Sequence, residues 1–460
     1  MPQCHVSHNT APLTLWQPIS HVGIWVGVVT MFIVTEEKLD LNAAESERES
    51  ALVGTPPELH PGDDDCGVEQ RDGQGGEHGE GEGEERAEKG EATSGFGYIA
   101  LILPAVAVAV IGAAVRIGVL RLLSSVHERE LWDQLLAWDA KYYLEIARVG
   151  YFDADITTDG PIHETTMAFF PGFPMVLRAL GWTGLSLELS ALLINTVFTA
   201  VMAAGVMVLA RRIGAGRAGQ VAAAFVVTSA PMSIVFSMPY TEALFGALVV
   251  WGLVALDQRA WWWAGALGFL LSFVRLTSVD FLAVFGLWVL IYGRRTWQAW
   301  VSLIIAALPL PAYLLWAQRY LADVGGYFGI QTKHWHSTFD GGVATATFVW
   351  ETLTKNNNVG YLLSVLVILG TVVLIVASWG KANPVAWWFS VALAANVLLS
   401  DGIMHSRPRL LLPVALLLVP WTVRAVAALP RRMSWLGSAA WVVWSAWFSA
   451  YMIVVFEWAI

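Results

Sequence analysis

Cysteine is almost absent. Cys4 and Cys66 are the only two in 460 residues, and both precede the long apolar part of the chain. No disulfide framework therefore holds the protein together, and the redox compartment cannot be read from cysteine. Charge is scarce as well: 14% of residues are Asp, Glu, Lys or Arg against 56% hydrophobic, and the mean hydropathy is +0.56. That balance excludes a soluble globular protein with an ordinary charged surface. A phosphate-cradling G-x-x-x-x-G-K-[ST] loop, a dinucleotide fingerprint and a G-x-S-x-G nucleophile elbow are all missing. A nucleotide-driven reaction thus has no motif to rest on. Nor is there a surplus of basic residues, with 27 Lys and Arg against 37 Asp and Glu, and no nucleic-acid partner is expected.

What remains is apolar sequence, rich in tryptophan, behind an acidic leader. Residues 36–91 hold 19 acidic and 5 basic residues, leaving 18 acids and 22 bases for all the rest, so the apolar part is mildly basic. The leader is rich in Glu, Gly and Asp and has too few apolar residues to offset its ordering entropy. Residues 1–95 therefore read as a disordered acidic tail, one that a misassigned start codon would produce; its apolar run 22–34 is too short for a span and stays unassigned. Residues 96–460 read as one multi-pass, all-α domain. Spans are expected near 97–120, 187–210, 219–237, 241–256, 260–276, 278–293, 298–320, 359–378, 383–400, 408–426 and 434–457, about eleven in all. The apolar run 167–174 carries prolines at 171 and 174, so it is expected to be re-entrant or interfacial.

Basic residues sort these spans into two faces. Arg211, Arg212 and Arg217, then Arg259, Arg294, Arg295, Lys381, Arg424, Arg431 and Arg432 fall on one side if 97–120 starts inside and 167–180 does not cross. The opposite, external face then collects the segment Trp138-Asp139, Tyr240 to Glu242, Arg275, the loop 321–358 and His405 to Arg409. Every chemically suggestive stretch lies on that face.

The richest of them is Trp138-Asp139-Ala140-Lys141-Tyr142-Tyr143, just after the first span. If 131–149 is one helix, Asp139 and Tyr143, and likewise Trp138 and Tyr142, stand one turn apart along the interface. An interfacial anchor of Trp and Tyr is the plainer alternative. Glu242 and Arg275 sit at span ends, where ionisable groups are expected to face a polar cavity or to snorkel. Arg275, Arg407 and Arg409 together would make a cationic cluster able to grip a phosphate through bidentate guanidinium bonds, with His405 beside it. Lys333, His334 and His336 flank Trp335 in the external loop, but two histidines at i, i+2 without an acid at helical spacing do not make a metal site, and a contact to sugar or lipid phosphate is preferred. Asp153, Asp155, Asp159, His163 and Glu164 read as a solvated acidic loop.

Four motifs in order, Trp138 to Tyr143 with Ile146-Ala147 and Gly150-Tyr151, then Phe169-Phe170-Pro171-Gly172-Phe173-Pro174, then Pro239 to Phe245, then Arg407-Pro408-Arg409 to Pro413, resemble those of the PIG-V family. Its members are integral-membrane mannosyltransferases of the GT-C type. The resemblance runs from about residue 97 to at least 413, and departs from the family at Ala140, often Gly, and at Arg275-Leu276-Thr277-Ser278, where a Ser-rich motif is usual. It implies a GT-C-like fold with a catalytic first external loop. It also implies inverting transfer of mannose from polyprenyl-phosphate mannose to a glycolipid or lipoglycan, with Asp139 as the base and no cofactor. Trp138, Tyr142, Tyr143, Tyr240, Glu242, Arg275, Lys333, His405, Arg407 and Arg409 are the expected substrate-binding residues. The richness in Ala, Val and Trp has a bacterial look, which places the chain in the cell membrane with its active face outward, or luminal in a eukaryote. A lipid-linked sugar transporter or flippase, and a non-catalytic subunit of a glycosylation complex, are the competing classes.

Overall fold

The computed structural model describes residues 82–456 apart from Asp159 and Asn357, together with Trp458, and side chains from Leu101 onward. The tail 1–81, with its apolar run 22–34, lies outside the described residues. The described part is all-α, with one isolated antiparallel bridge between Phe339 and Ser400. Its first helix runs Glu82–Val126, so the boundary expected at residue 95 falls within this element.

Among the described residues five helices are long and apolar enough to cross a membrane, Leu101–Val126, Leu187–Arg212, Trp297–Val324, Val359–Ala377 and Arg431–Val454. A bent pair, Met404–Leu410 with Leu412–Ala428 at 53°, makes up to six, and the chain is a multi-pass membrane protein. The sequence reading of about eleven exceeds this count because several apolar runs are shorter or broken. The run 219–237 divides into the Arg217–Thr228 helix and a 3₁₀ turn Ser233–Ser237, with Met232 between them at φ 69°. Trp261–Leu271 and Pro384–Leu398 have 11 and 15 residues, where a crossing needs roughly 20.

Small residues let the central helices approach. A Cβ on Gly205 would lie 2.6 Å from Val250, and one on Gly246 would lie 2.5 Å from the Met202 sulfur. The Leu187–Arg212 and Glu242–Asp257 helices thus pack nearly backbone to backbone, as membrane helices do when small residues line the contact. The Phe-Phe-Pro-Gly-Phe-Pro run does not cross. It leads into the helix Gly172–Gly181, about 15 Å at 1.5 Å per residue, and the Gly172 amide donates to the Phe273 carbonyl at 2.8 Å. This bond fixes the segment beside the turn that carries Arg275.

Candidate active site

Residues 131–149 do not form one helix. Leu131–Leu135 and Ala140–Arg148 are separated by a turn in which Trp138 has φ 61°, a left-handed conformation uncommon for a bulky residue. The turn is held from a distance. The Asp139 amide donates to the Tyr240 hydroxyl at 3.1 Å, and that hydroxyl donates to the Ala137 carbonyl at 3.4 Å. Tyr240 in turn is fixed by buried Asn195, whose side-chain amide donates to the carbonyls of Met238 at 2.5 Å and Tyr240 at 3.0 Å. One further buried residue secures the same region: Arg116 donates to the Thr228 carbonyl at 3.1 Å and to the Ser237 hydroxyl at 3.3 Å. Asn195 was invisible to sequence reasoning because a lone Asn in an apolar helix has no local signature.

Four charged side chains then meet. Arg409 Nη1 lies 2.6 Å from Asp139 Oδ2, its Nε 3.6 Å from Glu242 Oε1, and its guanidinium 5.1 Å from the centroid of the Tyr240 ring. Arg275 Nη1 donates to the same Glu242 oxygen at 3.1 Å and covers the Phe245 ring at 5.4 Å. Two carboxylates and two guanidiniums balance. Glu242 is 5% exposed, and its second oxygen is buried with no hydrogen-bond partner among the described residues. Beside it is a cavity of about 20 Å³ bounded by Glu242, Arg275, Thr277, Arg409 and apolar side chains. That volume admits about one water.

Aromatics wall the acid. Tyr142 stacks on Phe169 at 5.0 Å and 16°, while Tyr143 meets Phe169 and Phe173 edge-on. Burial first, and the Asp139 carboxylate after it, push the Tyr142 and Tyr240 hydroxyls above the usual phenol range, so both stay protonated donors at neutral pH. The Trp138 ring nitrogen is buried without a partner among the described residues.

Of the expected site residues, Asp139, Trp138, Tyr142, Tyr143, Tyr240, Glu242, Arg275 and Arg409 come together. The others do not. Arg407 is buried and donates to Thr345 Oγ1 at 2.5 Å and to the Ser400 carbonyl, pinning the helix Val343–Lys355 to the Ser400 turn rather than joining Arg275 and Arg409. It stands two positions from Arg409 in the Arg407–Leu410 helix, which sends the two guanidiniums to different sides. The His405 ring packs 5.9 Å from Tyr361 and 5.2 Å from Phe456. Lys333 donates to Glu164 at 2.5 Å, with His334 Nε2 3.8 Å from the same carboxylate oxygen. Glu164 is 8% exposed, which corrects its reading as part of a solvated loop; Asp159 of that loop lies outside the described residues. The second cluster meets the first through rings, with Phe169 and Trp335 6.0 Å apart. Among the described residues no group of three His, Cys, Asp or Glu is placed to hold a metal ion.

A family model described as Mannosyltransferase (PIG-V) matches residues 109–293. This segment is similar to the PIG-V family. It contains Asp139, Tyr240, Glu242 and Arg275, whereas Arg409 lies beyond it. GPI alpha-1,6-mannosyltransferase 2 of Rattus norvegicus is 31% identical over 163 residues, 32% of this chain and 31% of that protein. The protein of the same name from Cricetulus griseus is 33% identical over 186 residues, 35% and 34% of the two chains. The chain therefore spans about a third of the length of these curated relatives. Among solved structures, ArnT from Cupriavidus metallidurans bound to undecaprenyl phosphate has a TM-score of 0.43 at 14% identity, covering 78% of this chain and 76% of that one. The Archaeoglobus fulgidus oligosaccharyltransferase, in complex with zinc and sulfate, has a TM-score of 0.40 at 14% identity, covering 76% and 53%.

Proposed function

We propose that this PIG-V-related chain is an integral-membrane, GT-C-like mannosyltransferase that moves mannose from polyprenyl-phosphate mannose to a hydroxyl of a glycolipid or lipoglycan on the external face of the membrane. The observation that carries the reading is the meeting of Asp139 with Arg409, Glu242 and Arg275, two carboxylates and two guanidiniums beside aromatic walls. Three of the four lie in the PIG-V segment.

The chemistry follows from the residue types. Asp139 accepts the proton of the acceptor hydroxyl as that oxygen attacks C1 of the sugar from the side opposite the phosphate. The C1–O bond to phosphate breaks with its electron pair, leaving polyprenyl phosphate, and configuration at C1 inverts. Arg275 and Arg409 offer N–H donors to the phosphate oxygens as charge grows on them. Glu242 keeps the two cations in place before and after. Tyr142, Phe169 and Trp335 supply flat apolar faces beside this centre, suited to the C–H faces of a sugar.

The test is a glycolipid profile of cells lacking the gene. The expected result is a glycan shortened by one mannose that accumulates and disappears on complementation. An unchanged profile together with altered lipid-linked sugar distribution across the membrane would favour a transporter instead.

A further inference from the structure

A donor phosphate would meet two guanidiniums that already have carboxylate partners, and the cavity beside Glu242 holds only about one water. A third anion must therefore loosen one of the two ion pairs. The two acids are not equally free to yield. Glu242 has a side chain 5% exposed, lies against both arginines and starts the buried Glu242–Asp257 helix. Moving it would leave a buried charge without a partner, which is strongly unfavourable. Asp139 has a side chain 23% exposed and stands on an external turn held by its own backbone amide rather than by its carboxylate. Its carboxylate can swing toward water while the turn stays in place.

Resting on the mannosyltransferase reading above, we infer that Arg409 is a shared ligand: it holds Asp139 in the empty site, and the donor phosphate takes it over, releasing the base only once the donor is seated. The exchange gives Arg409 two roles in sequence. Before donor arrival its Nη1 occupies Asp139 Oδ2, so that oxygen is not available to a hydroxyl. After arrival the guanidinium faces phosphate oxygens, which accept from its N–H groups as the carboxylate did. The incoming phosphodiester adds one negative charge to a neutral set of four; when Asp139 then takes the acceptor proton it becomes neutral while the departing phosphate becomes a dianion, so the excess charge passes to the phosphate that the two guanidiniums face. No bond is made or broken in the exchange itself. Donor must bind before acceptor, and water reaching an empty site meets an occupied carboxylate oxygen.

The consequence is unusual for a base: removing its charge should strengthen donor binding. The measurement is the Kd of polyprenyl phosphate for the full-length chain in detergent, by isothermal titration calorimetry, with mannose transfer from polyprenyl-phosphate mannose assayed on the same preparation. Asp139→Asn is expected to bind polyprenyl phosphate on the order of tenfold more tightly than wild type, the scale of a typical coupling between two ligands of one group. On an Arg409→Gln background the gain should vanish, because the group competed for is gone. Asp139→Ser serves equally if the Asn variant does not fold. A wild type that binds and transfers, alongside an Asp139→Asn that binds equally or less tightly, overturns the exchange and leaves the proposed function standing. A gain that persists on the Arg409→Gln background also overturns it, since a general field effect would then suffice. A wild type that neither binds polyprenyl phosphate nor transfers mannose overturns both.

Discussion

The two arginines of Arg407-Pro408-Arg409 should fail in different ways. Arg407 is 2% exposed and donates to the Thr345 hydroxyl and the Ser400 carbonyl, partners 62 and 7 positions away. Hydrogen bonds from a charged donor contribute about 1.5 to 3 kcal/mol each. Arg407→Lys keeps the charge but can span only one acceptor, so a loss of about 2 kcal/mol is expected, and about 3 to 6 kcal/mol for Arg407→Ala, which orphans both. At about 2 °C per kcal/mol for a large domain, Tm should fall by about 4 °C and about 6 to 12 °C. Thermal unfolding of the detergent-solubilised protein at one scan rate reads this directly. In the folded fraction, the KM for polyprenyl-phosphate mannose should change little for Arg407→Lys. Arg409→Lys should do the reverse, raising KM or lowering kcat about tenfold or more with little change in Tm, because its fork lies on Asp139 and Glu242. A raised donor KM in Arg407→Lys at unchanged Tm would refute this division of labour and return Arg407 to the phosphate site.

Glu242→Gln should destabilise the protein by about 3 to 5 kcal/mol, because it leaves Arg275 facing a neutral partner in a mostly buried setting. Adding Arg275→Met should recover a large part of that stability without recovering activity, and an additive double variant in the thermal assay would contradict the pairing. The Asp340 carboxylate accepts from the amides of Ala344 at 2.6 Å and Gly342 at 2.9 Å, and these bonds hold it below the usual carboxylate range. A depressed folded value contributes stability above the ordinary carboxylate pKa and loses it as pH falls below that value. Protection of amides in the helix Val343–Lys355, taken relative to the unstructured exchange rate at the same pH, should therefore fall between pH 7 and pH 3, and in Asp340→Asn already at pH 7; equal protection in all three cases would show that Asp340 does not hold this end.

The long apolar elements were legible because length and composition alone set them: 187–210 became Leu187–Arg212 and 359–378 became Val359–Ala377. The proline-broken run at 167–174 was legible for the same reason, since two prolines remove donors that lipid cannot replace. The break at Trp138 was not, because nothing in a tryptophan marks a positive φ; the conformation is imposed by Tyr240, about a hundred positions later in the chain. The cluster of Asp139 with Glu242, Arg275 and Arg409 was legible as a set of residues gathered on one face. Its pairing was not. Which of two arginines two positions apart turns to the acid is decided by Thr345, in the Val343–Lys355 helix, and by the Ser400 carbonyl, and neither has a local signal. Glu164 was misread for the same reason, as its partner Lys333 lies 169 positions away.

The most direct test is single-turnover transfer by purified wild type and Asp139→Asn, given synthetic polyprenyl-phosphate mannose and a membrane glycolipid extract as acceptor. Wild type should release polyprenyl phosphate and form a mannosylated lipid of inverted anomeric configuration. Asp139→Asn, folded and still binding polyprenyl phosphate, should transfer at least a hundredfold more slowly, the smaller end of the range that a positioned base contributes. Near wild-type transfer by Asp139→Asn would contradict the assignment of the base and with it the site built around Arg409.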